Sequence, residues 1–265
     1  MIDKYEMQKP KSKLFLYLIY ALLFSLVFIW AFVGINYKGV MATARGTFRG
    51  MLNGILNPDL VYIKNTTIDG LGYALIETIT IAISGTFISA MISLPFAFLA
   101  SQNIVGKKIS RLGKFFITCI RVFPELILAI IFIKVLGPGP MAGVMALGIH
   151  SIGMLGKLYS EAIESMDMGS VEALEACGAT GLQKLFHGVI PEILPALMGF
   201  SLYRFEINTR AASTLGIVGA GGIGAPLLFA ITGRNWSRTF TLVFSLIIMV
   251  ILVDFFSGKI RKRIQ

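Results

Sequence analysis

Apolar and polar residues are segregated along this chain into long blocks. Apolar runs cover Leu14 to Ile35, Gly72 to Ala100, Phe115 to Leu136, Met141 to Leu158, Ile193 to Arg210 and Thr239 to Phe256. A helix needs about 20 residues to cross a bilayer. The pattern predicts an all-α integral membrane protein with six transmembrane helices. The first run is too long for a signal-peptide core and lacks a small-residue cleavage site, so a retained helix is expected.

The polar intervals set the orientation. Lys4, Lys9, Lys11 and Lys13 precede the first run. Lys107, Lys108, Arg111 and Lys114 form what reads as a basic loop with no acidic residue, and Lys259, Arg261, Lys262 and Arg263 follow the last run. The positive-inside rule places these clusters, and hence both termini, in the cytoplasm. Gly137-Pro138-Gly139-Pro140 and Arg234-Asn235-Trp236-Ser237-Arg238 then become outer turns. Lys38, Arg45 and Arg49 punctuate a mixed stretch expected to hold a short helix along the outer interface, ended by the turn Asn57-Pro58-Asp59.

Polar groups inside the apolar runs mark either packing or a solute path. Glu77 suits the interface or the path. Arg121 and Glu125 flank Pro124 four residues apart, as an ion pair across a broken helix or as a pivot. His150 is a packed neutral side chain or a pathway residue. The densest cluster is Tyr203, Arg204, Glu206, Asn208 and Arg210. Arg204 with Asn208, and Glu206 with Arg210, can each share a helix face, either lining a cavity suited to an anion or neutralising each other structurally. Leu215 to Gly224 is glycine-rich, and Gly221 and Gly222 lie in an expected broken or re-entrant segment near the path.

One polar stretch, Lys157 to Glu192, is acidic, with Glu161, Glu164, Asp167, Glu172 and Glu175. Ser170 is a candidate helix cap and Gly178 a candidate helix stop. The expected shape is a knob of two short helices joined by a glycine turn, on the cytoplasmic side.

Composition removes other classes. The 265 residues are 55% hydrophobic and 14% charged, with formal net charge +10. Six spans leave no room for a nucleotide-binding domain, and no Walker loop is present. Cys119 and Cys177 give no disulfide framework, and His150 and His187 accompany no metal-ligand cluster, so no cofactor is expected. The basic charge sits at span ends, which fits anionic lipid and topology and argues against nucleic acid as a partner.

Glu172-Ala173-Leu174, Gly178 and Ile190-Pro191 resemble the "EAA" loop of ABC importer permeases. His150 to Glu161, Tyr203 to Arg210 and Leu215 to Gly224 resemble the phosphonate importer subfamily, and Asp254 and Ser257 fit its ending. The resemblance covers about residues 72–260. It implies the type I, MetI-like permease fold: a leading helix and outer segment over 1–70, a transmembrane domain over 71–260 with a coupling loop at 157–191, and a basic tail at 261–265. It further implies a homodimer in the cell membrane, docking onto cytoplasmic ABC ATPase subunits through Glu172, Ala173, Leu174, Gly178, Ile190 and Pro191. An extracytoplasmic binding protein would deliver phosphonate, phosphite or a related phosphorus oxyanion. This chain would itself perform no catalysis. The alternatives are a permease of the same design for another solute such as methionine, a secondary transporter acting without an ATPase, and a membrane-embedded enzyme.

Overall fold

A computed structural model describes residues 14–33, 38–65, 67 and 69–264. The leading basic stretch, 1–13, lies outside the described residues. The chain divides into two compact units, the first ending at Leu52 and the second beginning at Asn53. In the first, α1 (Leu14–Val33) is 20 residues of apolar helix, about 30 Å at 1.5 Å per residue. Phe24, Phe28 and Phe32 stack along one side of it, with successive ring centroids 6.3 and 4.8 Å apart. The helix expected in the mixed stretch is α2 (Lys38–Leu56), which crosses the boundary between the units.

The second unit holds α3 (Leu60–Lys64), α4 (Leu71–Ala100), α5 (Gln102–Val122), α6 (Glu125–Leu136), α7 (Pro140–Ser165), α8 (Gly169–Ala176), α9 (Gly181–Lys184), α10 (Ile190–Ile217), α11 (Gly224–Thr232) and α12 (Trp236–Ile264). Its centre is the α4–α7 pair. Ala74, Thr78, Ala82, Thr86, Ser89, Ser93 and Ala97 recur at helical spacing along the buried face of α4. Gly85, on the same helix, comes against Leu147 and Gly148 of α7. Small side chains let two backbones approach where no hydrophobic effect drives helices together. The hydroxyls bond back to their own helix, as Thr78 Oγ1 does to Ala74 O at 2.7 Å and Thr86 Oγ1 to Ala82 O at 2.7 Å, so neither is orphaned. The helix continues through Pro95 to Ala100.

Three apolar clusters follow the pair along its length. Tyr62, Leu71, Ala74, Ile223, Ala230 and Leu242 close one end. Ile81, Ala146, Leu147, Ala211 and Leu215 fill the middle. Leu155, Tyr159, Ile163, Val171, Val189, Ile193 and Leu197 close the other.

Among the described residues, five helices are long and apolar enough to cross a membrane. The pair α5 and α6, bent by 77° at Phe123-Pro124, makes the sixth when taken as one broken span. The six-span expectation therefore holds, with two corrections. The basic residues 107–114 are not a loop: they lie within α5, which begins at Gln102 and changes direction at Gly106. The expected Arg121–Glu125 pair does not form, because Phe123 and Pro124 are extended and put the two residues on different helices. The Glu125 carboxylate instead stands beside His150, whose Nε2 is 3.9 Å away.

Candidate coupling knob and transmembrane polar sites

After α7 the chain leaves the bundle as a knob, α8 to α9, and returns through a π-helical turn, Leu185–Val189, into α10. Val171 and Val189 anchor it in the cluster beneath. The cap at the start of α8 differs from expectation. Met168 occupies the N-cap position, and Ser170 is inside the helix. Asp167 Oδ1 accepts the Gly169 amide at 3.0 Å. Glu192 reaches across from α10: Oε1 accepts the Asp167 amide at 2.9 Å and Oε2 accepts the Ser170 hydroxyl at 3.0 Å. Two carboxylates thus hold the positive end of a short helix.

Gly178 ends α8 as expected. Its φ of +79° lies in the left-handed region that glycine enters freely. Gly178 N–H donates to Glu175 O at 2.9 Å and Ala179 N–H to Leu174 O at 3.0 Å, the two bonds of a Schellman stop. Thr180 then opens α9 in a capping box with Gln183. Lys184 Nζ lies 3.3 Å from Glu175, tying the second short helix to the first. Pro191 has no N–H to give to the preceding turn, and Ile190 N–H bonds to Leu185 O, the wide π spacing.

Glu172, Ala173, Gly178 and Pro191 are exposed on this knob, while Leu174 and Ile190 are half-buried. Two residues that sequence reasoning missed stand out. Leu182 is 69% exposed and Phe186 59%, four positions apart on the knob. Apolar side chains at helical spacing in an otherwise polar segment were the available signal. The base of the knob is braced by Lys114, whose Nζ is 2.8 Å from Glu164, and by the Gln102 amide, 2.9 Å from the same carboxylate.

The residues proposed for the pathway fall into three places. In the first, Asn208 is fully buried, and Arg204 is 3% exposed. Arg204 Nε donates to Ser151 Oγ at 2.8 Å, and Asn208 Nδ2 donates to Thr86 Oγ1 at 2.9 Å and Ser151 Oγ at 3.2 Å. These bonds cross-link α4, α7 and α10. The shared face of Arg204 and Asn208 is as expected. Arg204 Nη2 is buried with no protein partner. His150 lies nearby: the charged groups facing it are Arg204, Glu125 and Arg121. Its Nδ1 donates to Phe123 O at 3.1 Å, the carbonyl beside the break in α5–α6.

The second place lies between α10 and α12. The expected Glu206–Arg210 pair is absent. Glu206 binds Arg261, whose guanidinium also stands 6.0 Å from the Tyr203 ring centroid. Arg210 Nη1 lies 3.3 Å from Asp254. Residues on a neighbouring helix won because they approach the α10 carboxylate and guanidinium from outside the helix surface.

The third is the glycine turn between α10 and α11. Gly221 and Gly222 have φ of +85° and +77°. Gly222 N–H donates to Glu77 Oε2 at 3.0 Å, and Ile223 N–H to Thr78 Oγ1 at 2.8 Å. A Cβ on Gly222 would stand 2.8 Å from Thr78 Oγ1. The turn forms one wall of an 850 Å³ cleft with Asp69, Tyr73, Glu77 and Arg238. The break is as expected: α11 has nine residues, too few to span.

Residues 93–265 match the model of a family described as binding-protein-dependent transport system inner membrane component. The chain belongs to that family. It is 40% identical to the phosphite transport system permease protein PtxC of Stutzerimonas stutzeri over 72% of this chain and 70% of that protein. It is 36% identical to the phosphate-import permease protein PhnE of Mycolicibacterium smegmatis over 72% of this chain but 36% of that protein. Among solved structures, the inward-facing MetNI methionine ABC transporter superposes with TM-score 0.65 at 24% identity, covering 74% of this chain and 96% of that one. This is the MetI-like permease fold. As a member of the transport family, the chain is a multi-pass membrane permease component that works with a binding protein.

Proposed function

We propose that this permease carries a phosphorus oxyanion, phosphite or phosphonate among them, inward by alternating access, driven by ATP hydrolysis on a separate cytoplasmic subunit. The observation that carries the substrate class is the 40% identity to a phosphite permease over 70% of its length. The methionine transporter likeness, at 24%, is one of fold.

The knob is the coupling element. Val171 and Val189 seat it in the bundle. Glu172, Ala173, Leu174 and Gly178, with Ile190 and Pro191 behind them, form the contact with the ATPase, and Leu182 and Phe186 add apolar anchors. Buried aromatic and aliphatic anchors surrounded by polar groups are the usual energetic centre of an interface. The knob and both basic clusters, 107–114 and 259–263, face the cytoplasm, as do both termini.

Two copies form the path. Arg210 and Asp254 pair across α10 and α12 with 49% and 45% of their side-chain surfaces exposed. A charged pair that open to its surroundings suits a second copy or a water-filled path better than hydrocarbon. Arg204 and His150 supply the cationic and hydrogen-bonding groups of the inner part of the path. The Glu77–Gly222 turn and its cleft form the outer part.

Uptake in vesicles holding this chain, its ATPase and its binding protein tests the reading. ATP-dependent uptake of phosphite or phosphonate, with methionine excluded, is the expected result. Uptake that persists without ATP would make the chain a secondary transporter, and preference for methionine would overturn the substrate class.

A further inference from the structure

A groove of 500 Å³ runs between α4, α10 and α12. Leu75, Ile79, Leu202, Phe205, Leu252 and Phe256 give it walls of carbon. Its lining on α12 extends from Ser245 to Ile260, about 22 Å of helix at 1.5 Å per residue. That is the length of a lipid acyl chain. One lining group breaks the pattern. Ser257 is 2% exposed, and its Oγ has no hydrogen-bond partner. Ser245, on the same helix and in the same groove, bonds back to Thr241 O at 2.8 Å. A hydroxyl sealed in hydrocarbon without an acceptor is costly, and helical serines ordinarily avoid this by back-bonding. Ser257 therefore marks a polar point in the groove's wall, at its basic end, with its oxygen closed off from the groove itself.

The groove ends beside the basic end of α12. Arg261 is held by Glu206. Lys259, Lys262 and Arg263 are exposed, and among the described residues none of them makes an ion pair. From Ser257 to Lys262 the helix rises about 7–8 Å, so the apolar wall gives way to basic residues within about a turn and a half.

We infer that this groove is a binding site for an anionic phospholipid of the leaflet at the basic end of α12. One acyl chain lies along α12 toward Ser245. The glycerol esters lie at the level of Ser257, where the apolar wall ends. The phosphate and acidic headgroup sit against Lys259, Lys262 and Arg263. Charge complementarity selects an acidic headgroup over a zwitterionic one, since each basic residue at the membrane surface strengthens binding about fivefold. The inference is independent of the transported solute.

The full chain, purified in detergent, is titrated with phosphatidylglycerol and with phosphatidylcholine of the same acyl chains, and bound lipid is counted by native mass spectrometry. Phosphatidylglycerol should bind on the order of a hundredfold more tightly. The surface variant K259Q/K262Q/R263Q should bring the two lipids level. Leu252→Trp, which fills the groove, should displace both. Equal binding of the two lipids by the unaltered chain would overturn the site. So would phosphatidylglycerol binding that survives Leu252→Trp, which would assign the lipid to the basic tail alone. A cysteine placed at position 252 that cross-links to a second copy in membranes would give the groove to that copy and would equally overturn it.

Discussion

Arg204 Nε and Ser151 Oγ are 2.8 Å apart at the junction of α7 and α10, and that one hydroxyl also accepts from Asn208. Ser151→Ala would leave two buried donors short of an acceptor. The expected cost is about 1–3 kcal/mol, measured as a lower denaturation midpoint in detergent. Ser151→Thr keeps the oxygen and should recover part of the loss. Arg204→Met removes the charge itself. It should lower uptake at every substrate concentration while the protein still reaches the membrane and still stimulates its ATPase. Unchanged uptake would remove Arg204 from the path.

Glu192 joins α10 to the start of the knob through Asp167 and Ser170. Glu192→Ala and Ser170→Ala should be non-additive, because both remove the hydrogen bond between Ser170 and Glu192. Residues in one network couple by about 0.5–3 kcal/mol. The readout is transport-linked ATP hydrolysis in the two single variants and the double variant. Strict additivity would show that the clamp is incidental.

Gly178 needs its left-handed φ to close α8. Gly178→Ala should cost about 1 kcal/mol or more at this backbone conformation and turn Glu172 and Ala173 away from their present direction. Phe186→Ala leaves the backbone intact and removes an exposed anchor. Both should weaken co-purification of the ATPase, and Phe186→Ala should do so without lowering the stability of the isolated permease.

Arg210 and Asp254 offer a charge-swap test. Arg210→Asp should lower uptake by disrupting the α10–α12 contact, and Arg210→Asp with Asp254→Arg should restore part of it. Rescue by the double change, read as uptake and as the yield of cross-linked dimer, would separate a pair that holds helices from an Arg210 that touches the solute.

The spans were legible because each is a long apolar run, and the knob because an acidic stretch with a glycine stop interrupts them, although its cap at Ser170 was misplaced. Other features were hidden for physical reasons. Lys107, Lys108, Arg111 and Lys114 read as a loop, yet Ile109, Leu112 and Phe116 lie on the other side of the helix that follows Gly106. The i,i+4 rule paired Arg204 with Asn208 on one face correctly. It failed for Glu206 and Arg210, whose partners lie 55 and 44 positions away on α12. It failed again at Arg121 and Glu125, because Pro124 removes the helix that the rule assumes. Glu192 lay just beyond the motif, and nothing local marks it as a clamp.

The π-helical turn at Leu185–Val189 has a mechanical consequence. It is one residue of slack between the knob and α10. Sliding that slack by one position along the chain turns the residue it passes by about 100° and shifts it by about 1.5 Å, without breaking the helix. A push on the knob can then be absorbed as a local register shift at the root of α10, like a thread taken up by one notch.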